Sequence, residues 1–219
     1  MLILSALLAT AYGVFGSAWY AVGIALPLMA LFKASSIILL AAVAALGQSR
    51  LLTLGLVLGA AGDIGLALGA DTFLAGAIAF MIGQLFYIAL FLRAGIGVRA
   101  VVTRPARLFA MLALIAAAFA STSALVPHDT PLFVPLAIYT AVLTLMAMSS
   151  FTLPAVHWPA MLGAVLFFIS DGFVAWNMFH HDPDPTLAYW RNFAGWMVYW
   201  AGQAAICFGA LGLHKPQNA

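Results

Sequence analysis

The chain has 219 residues, of which 66% are hydrophobic and 6% charged, with a mean hydropathy of +1.12. A soluble domain carries about 25% charged residues, so this composition excludes one and indicates a polytopic membrane protein. A formal net charge of +2 without basic clusters argues against nucleic-acid binding, and no Gly-rich phosphate loop or zinc-ligand spacing is present.

The chain opens on Met-Leu-Ile-Leu-Ser-Ala-Leu-Leu, which lacks the basic start of a signal peptide and reads as a retained first helix. A membrane span needs about 20 apolar residues. Charge, proline and glycine divide the sequence into eight such runs: Leu2 to Tyr20, Pro27 to Gly47, Leu51 to Gly69, Thr72 to Leu92, Leu108 to Val126, Pro131 to Ser149, Pro159 to Phe179 and Trp190 to Leu213. Pro27, Pro131 and Pro159 suit the first turn of a helix, where a missing N–H costs nothing. The expected fold is all-α, a polytopic bundle of eight transmembrane helices forming a single transmembrane domain over residues 1–219. Cys207 is the only cysteine and lies in an apolar run, so no intrachain disulfide is possible.

With eight crossings both termini share one side. That side collects Arg50, Arg93, Arg99, Arg104, Arg107 and Lys215, and the other collects Asp71, Asp129, Asp182, Asp184 and Arg191. By the positive-inside rule the termini are cytoplasmic. Seven crossings would split the basic residues between the sides.

Two aspartates break the apolar runs, Asp63 after Leu-Val-Leu-Gly-Ala-Ala-Gly and Asp171 after Phe-Phe-Ile-Ser. A carboxylate in hydrocarbon is costly, and by default it marks a functional site. Counted from the expected outer end of each span, Lys33, Asp63, Asp171, Tyr139 and Tyr199 stand six to nine residues in, about 9–14 Å at 1.5 Å per residue. Five helices thus place polar side chains in one layer, with Gln84 and Gln203 one turn deeper. Tyr199 and Gln203 are four apart and share a face with Trp196 and Asn192, and Gln84 and Tyr87 are three apart on another helix. Gly55, Gly59, Gly62 and Gly69 would let the third helix pack closely around Asp63.

Several of these residues have plainer readings. The aspartates can be buried acids neutralised by Lys33 or by hydrogen bonds. Lys33 itself can be a counter-ion, a phosphate ligand or a snorkelling helix-end lysine. Tyr139 and Tyr199 can belong to an interfacial belt. His180, His181, Asp182 and Asp184 have ligand chemistry, but adjacent histidines in a Pro-rich loop more often form a solvated turn.

The stretch Gly55-Leu-Val-Leu-Gly-Ala-Ala-Gly-Asp63-Ile-Gly-Leu, with Phe73-Leu-Ala-Gly76-Ala-Ile-Ala-Phe80 and Gln84-Leu-Phe-Tyr87-Ile, resembles the first signature of the YhhN-type lysoplasmalogenase family. Gly163-Ala-Val-Leu-Phe-Phe-Ile-Ser170-Asp171-Gly-Phe, followed by Asn177-Met-Phe179, resembles the second, and the last helix with Tyr199, Gln203 and Gly209 is also similar. The family usually has His at the place of Gln84 and Lys-Pro at the place of Lys33-Ala34.

The resemblance implies an integral membrane ether hydrolase that cleaves the vinyl-ether bond of a lysophospholipid substrate, lysoplasmalogen, to a fatty aldehyde and a glycerophosphodiester. Asp63 and Asp171 are the expected catalytic acid–base pair, because protonating the vinyl ether and capturing the oxocarbenium ion with water require one acid and one base. Lys33, Arg191 and Asn192 would hold the phosphate, with Tyr139, Tyr199, Gln84 and Gln203 completing the substrate site. No metal or organic cofactor is called for, and the expected location is a bacterial cytoplasmic membrane, crossed several times and in contact with membrane lipid. The rival readings are a small-molecule or proton-coupled transporter using the same aspartates, an intramembrane aspartyl protease and a structural scaffold. Neither an internal repeat nor paired broken helices favour the first, and Ala-Ala-Gly-Asp63 departs from the Gly-x-Gly-Asp of the second.

Overall fold

A computed structural model describes residues 1–21, 25–180, 183–211 and 213. Within them the chain is helical throughout, with no strand among the described residues. In chain order the helices are α1 (Leu2–Ala21), α2 (Leu26–Leu46), α3 (Arg50–Ala67), α4 (Ala70–Ala94), a short α5 (Arg99–Val102), α6 (Pro105–Leu125), α7 (Phe133–Ser150), α8 (Trp158–Phe179) and α9 (Pro185–Ala210). A 3₁₀ turn at Ala155–His157 leads into α8. Six helices, α2, α3, α4, α6, α7 and α8, are long and apolar enough to cross a membrane. The six do not include α9, whose apolar face is diluted by Tyr199, Gln203, tryptophans and glycines. The apolar stretch Leu2–Gly16 of α1 is shorter than those six.

Local chemistry accounts for the helix ends. Prolines at the first positions open α2, α6, α8 and α9, where their fixed φ helps and no N–H is missed. Pro131 was expected to do the same, but it lies in the turn before α7, which starts at Phe133. The last helix begins at Pro185 rather than Trp190, because Asp184 accepts from the Thr186 N–H at 2.8 Å and caps a polar first turn that hydropathy does not register. Gly69 is not a packing glycine. It caps α4 at a φ of 110°, a conformation side-chain-bearing residues avoid, with nothing near the position of a Cβ. The adjoining Thr72 hydroxyl donates to Gly65 O at 2.7 Å and ties α4 to the end of α3.

Small residues set the helix spacings. A Cβ on Gly65 would stand 2.6 Å from Gly76 Cα across the α3–α4 seam, and one on Gly163 would stand 2.5 Å from Gly202 O across the α8–α9 seam. These two pairs pack most intimately, whereas α6 leans mainly on α7 and buries only Leu114. At the end holding the α4–α6 and α7–α8 connections, Arg107 donates to Phe151 O at 2.6 Å and Leu153 O at 2.9 Å. The same end is tied by Ile96 N–H to Thr152 O at 2.9 Å and by His157 Nδ1 with Gly209 O at 2.7 Å. The opposite end of the bundle holds a cavity.

Candidate functional site

The cavity has a volume of about 960 Å³, at the upper end of the roughly 300–1,000 Å³ usual for ligand pockets. It is walled by the later turns of α1, α3, α6 and α8 and the earlier turns of α2, α4, α7 and α9. Most of its lining is apolar or aromatic. Asp63 and Asp171 both line it, together with Lys33, Tyr139, Tyr199 and Asn192.

Asp63 is 2% exposed. Its Oδ1 faces Lys33 Nζ at 3.5 Å, and its Oδ2 accepts from the Tyr199 hydroxyl at 2.9 Å. Lys33 is therefore a counter-ion: its side chain is 17% exposed and its ammonium also lies 5.5 Å from the centre of the Trp196 ring. The Trp196 indole is held in turn by a hydrogen bond to Ala9 O at 2.8 Å and by an edge contact with Tyr12 at 5.0 Å.

Asp171 has different company. Its Oδ2 accepts from the Tyr139 hydroxyl at 2.5 Å, and Ser170 Oγ stands 3.4 Å from its Oδ1. The Lys33 ammonium pairs with Asp63 rather than with Asp171. Tyr139 in turn accepts from Gln84 Nε2 at 3.0 Å. On the Asp63 side, Tyr199 accepts from Gln203 Nε2 at 3.3 Å, and Gln203 Oε1 accepts from the Tyr87 hydroxyl at 2.7 Å. Each carboxyl thus ends a glutamine–tyrosine–aspartate relay. Gln84 and Gln203 are fully buried behind the tyrosines and do not touch the cavity. Expected as substrate contacts, they are supports.

The third helix makes room for this arrangement. A Cβ on Gly62 would overlap the Phe80 ring and one on Gly55 the Tyr87 ring, and one on Gly59 would come within 3.1 Å of Gln203 Nε2. Phe80, Phe167 and Tyr199 meet edge to face, with centroids 5.4–6.0 Å apart, and Phe80 and Tyr199 line the cavity. Phe80, Phe167 and Tyr12 carry no intramembrane charge that sequence reasoning could single out. The indole of Trp196 was placed on the right face by its three-residue spacing from Tyr199.

Arg191 lies apart from the cavity that holds the carboxyl groups. It borders a smaller depression of about 370 Å³ with Trp176 and Phe173, its guanidinium 5.8 Å from the Trp176 ring centre. Its Nε donates to Asn177 Oδ1 at 2.6 Å, and Asn177 Nδ2 donates to Asn192 Oδ1 at 2.5 Å. Asn177 and Asn192 both line the main cavity, so this chain of polar groups links Arg191 to its rim. Of the possible metal ligands, His181 and Asp182 fall outside the described residues. His180 stacks on Trp176, Asp184 caps α9, and no group of His, Cys and Asp suited to a metal occurs among the described residues.

The model of the YhhN family matches residues 28–210, a stretch that carries both aspartates, both relays and most of the cavity wall. The chain belongs to the YhhN family. No protein of curated function and no solved structure matches it. In this YhhN protein the two carboxyl groups line one cavity.

Proposed function

We propose that this YhhN protein is a lysoplasmalogenase-like membrane hydrolase. The observation that carries the reading is a pair of carboxyl groups, on α3 and α8, exposed to one large apolar cavity inside a bundle of apolar helices. An alkenyl chain suits the apolar and aromatic wall. Vinyl-ether hydrolysis suits the two acids. One carboxyl group gives its proton to the β-carbon of the vinyl ether, leaving an oxocarbenium ion. Water adds to the α-carbon and loses a proton to a carboxylate, forming a hemiacetal. The hemiacetal C–O bond to glycerol then breaks as its hydroxyl gives its proton to the carboxylate left by the first step and the glycerol oxygen takes a proton from the other carboxyl group, releasing the aldehyde and restoring both acids. The net change is one water consumed and no change of oxidation state.

Lys33 supports Asp63 as the ionised member, since an ammonium at 3.5 Å stabilises its anion and the anion in turn stabilises the oxocarbenium ion. Asp171 is then the proton donor. The Arg191–Asn177–Asn192 chain at the rim is suited to a phosphate, whose oxygens accept hydrogen bonds from guanidinium and amide donors. In this reading eight helices cross the membrane with both termini cytoplasmic, the cavity opens toward the outer face, and residues 1–219 act as one domain.

The test is aldehyde release by the purified chain from a lyso vinyl-ether phospholipid, with the saturated ether analogue as control. Aldehyde from the first alone supports the reading, because only the vinyl ether can be protonated at carbon. No aldehyde from either lipid overturns it.

A further inference from the structure

The two relays have the same composition but anchor their amides differently. Gln203 is held at both ends: its Oε1 accepts from Tyr87 at 2.7 Å and its Nε2 donates to Tyr199 at 3.3 Å. A carbonyl oxygen only accepts and an amide nitrogen only donates. Tyr87, 1% exposed, donates to that oxygen and would lose its acceptor if this amide reversed. Tyr199, receiving the amide N–H, therefore turns its own proton to Asp63.

Gln84 is held at one end only. Its Nε2 donates to Tyr139 at 3.0 Å, and Tyr139 donates to Asp171 at 2.5 Å. The other end, Oε1, is buried and has no hydrogen-bond partner among the described residues. Among the described residues no donor to Oε1 holds this amide against reversal. A hydroxyl carries one proton and accepts on its other side, so the relay has two complete arrangements. When Asp171 is ionised, Gln84 N–H donates to Tyr139 and Tyr139 donates to Asp171. When Asp171 is protonated, its O–H donates to Tyr139, and Tyr139 donates to Gln84 Oε1 once the amide has rotated by half a turn.

We propose that Gln84 is a positioning residue whose side-chain amide reverses each time Asp171 gives up or regains its proton, so that Tyr139 keeps the carboxyl group oriented in both states. The catalytic meaning of this rests on the hydrolase reading; the reversal itself does not. The charged and titratable groups that share the cavity with Asp171 are Lys33 on α2, Asp63 on α3, Tyr139 on α7, Tyr199 and Tyr189 on α9 and Tyr12 on α1, and the lining residues of α4 and α6 add none. Of these, only Tyr139 is hydrogen-bonded to Gln84. The device gives Asp171 what the pinned relay denies Asp63: a hydrogen-bonded partner whether it acts as donor or acceptor.

The experiment follows the side-chain ¹⁵N amide resonances of Gln84 and Gln203 in the full chain, in lipid nanodiscs, over a pH titration without substrate. The Gln84 signal is expected to move with pH, to stop moving in Asp171→Asn and in Tyr139→Phe, and to keep moving in Asp63→Asn. The Gln203 signal is expected to stay in place. A Gln84 signal that ignores pH, or that still moves in Asp171→Asn, overturns the proposal. The two Asp171-side variants serve as alternatives should one not fold. Gln84→Met is further expected to lower kcat by up to roughly 10²-fold with little change in KM. A pH-linked Gln84 signal without aldehyde from the wild-type chain leaves the reversal standing and removes the hydrolase reading. Aldehyde with a silent Gln84 removes the reversal alone.

Discussion

Lys33→Met is the perturbation that the geometry makes most specific. Two unit charges 3.5 Å apart attract by roughly 5 kcal/mol at an effective dielectric of about 20. Ordering the long lysine side chain opposes this by about 2 kcal/mol, leaving roughly 3 kcal/mol for the pair. Removing the lysine strands a carboxylate that is 2% exposed, and breaking a buried pair from one side costs about 3–5 kcal/mol. Asp63→Asn strands the lysine instead, which loses less because it is 17% exposed and can turn toward solvent. The double variant should therefore be more stable than the sum of the singles implies, with a coupling of roughly 2–4 kcal/mol. Reversible unfolding in mixed micelles measures the cycle. Additivity to within about 0.5 kcal/mol, the figure for independent sites, would refute the ion pair. A Lys33→Met chain of normal stability whose only defect is a raised KM would instead return Lys33 to phosphate binding.

The remaining expectations concern the site, the packing and the topology. Asp63→Asn and Asp171→Asn should each fold and lose aldehyde release by roughly 10²–10⁴-fold, as read by direct aldehyde assay; full activity in either removes the two-carboxyl mechanism. Gly62→Ala pushes a methyl group into the Phe80 ring and should cost about 1–3 kcal/mol, whereas Gly172→Ala, with nothing within 4 Å of the new methyl, should be neutral or stabilising by up to about 1 kcal/mol; unfolding midpoints of the two variants separate these outcomes. In a background lacking Cys207, single cysteines at Val98 and Pro183 should be labelled from opposite sides of a sealed vesicle. Labelling of both from one side ends the eight-span arrangement.

Much of the fold is legible because helix ends and apolar lengths are local properties. The expected boundaries of the first four runs fall within a few residues of α1 to α4. The larger misses are at polar ends such as Pro185–Tyr189, where a cap and a proline start the helix before hydropathy rises. Level along the bundle is legible too, since the rise per residue converts directly to ångströms along a helix axis, and Lys33, Asp63, Tyr139, Asp171 and Tyr199 line one cavity. Azimuth is not. Counting along α7 and α9 places both tyrosines at the right level without saying that Tyr139 serves Asp171 and Tyr199 serves Asp63. The same limit hides the role of the two glutamines, which stand one turn deeper and point at tyrosines rather than at the cavity, and it lets Arg191 look like a cavity residue when its helix turns it toward Trp176.

The glycines of α3 show how such a polar layer is held in an apolar bundle. Gly55, Gly59 and Gly62 recur at helical spacing, and each gives up its side-chain volume to one member of the neighbouring helices: the Tyr87 ring, the Gln203 amide with the Tyr199 hydroxyl, and the Phe80 ring. Without that surrender α3 would stand farther from α4 and α9. Hydrogen bonds of 2.7–2.9 Å from Tyr87 and Tyr199 would then stretch, and their strength falls steeply with distance and misalignment. A stranded buried donor or acceptor costs about 1–3 kcal/mol, so a displacement that breaks two of them costs as much as a large core truncation. The glycine spacing and the acid one residue beyond it are thus one device: close approach keeps Asp63 partnered, and a partnered Asp63 is what allows a charge to remain at that depth.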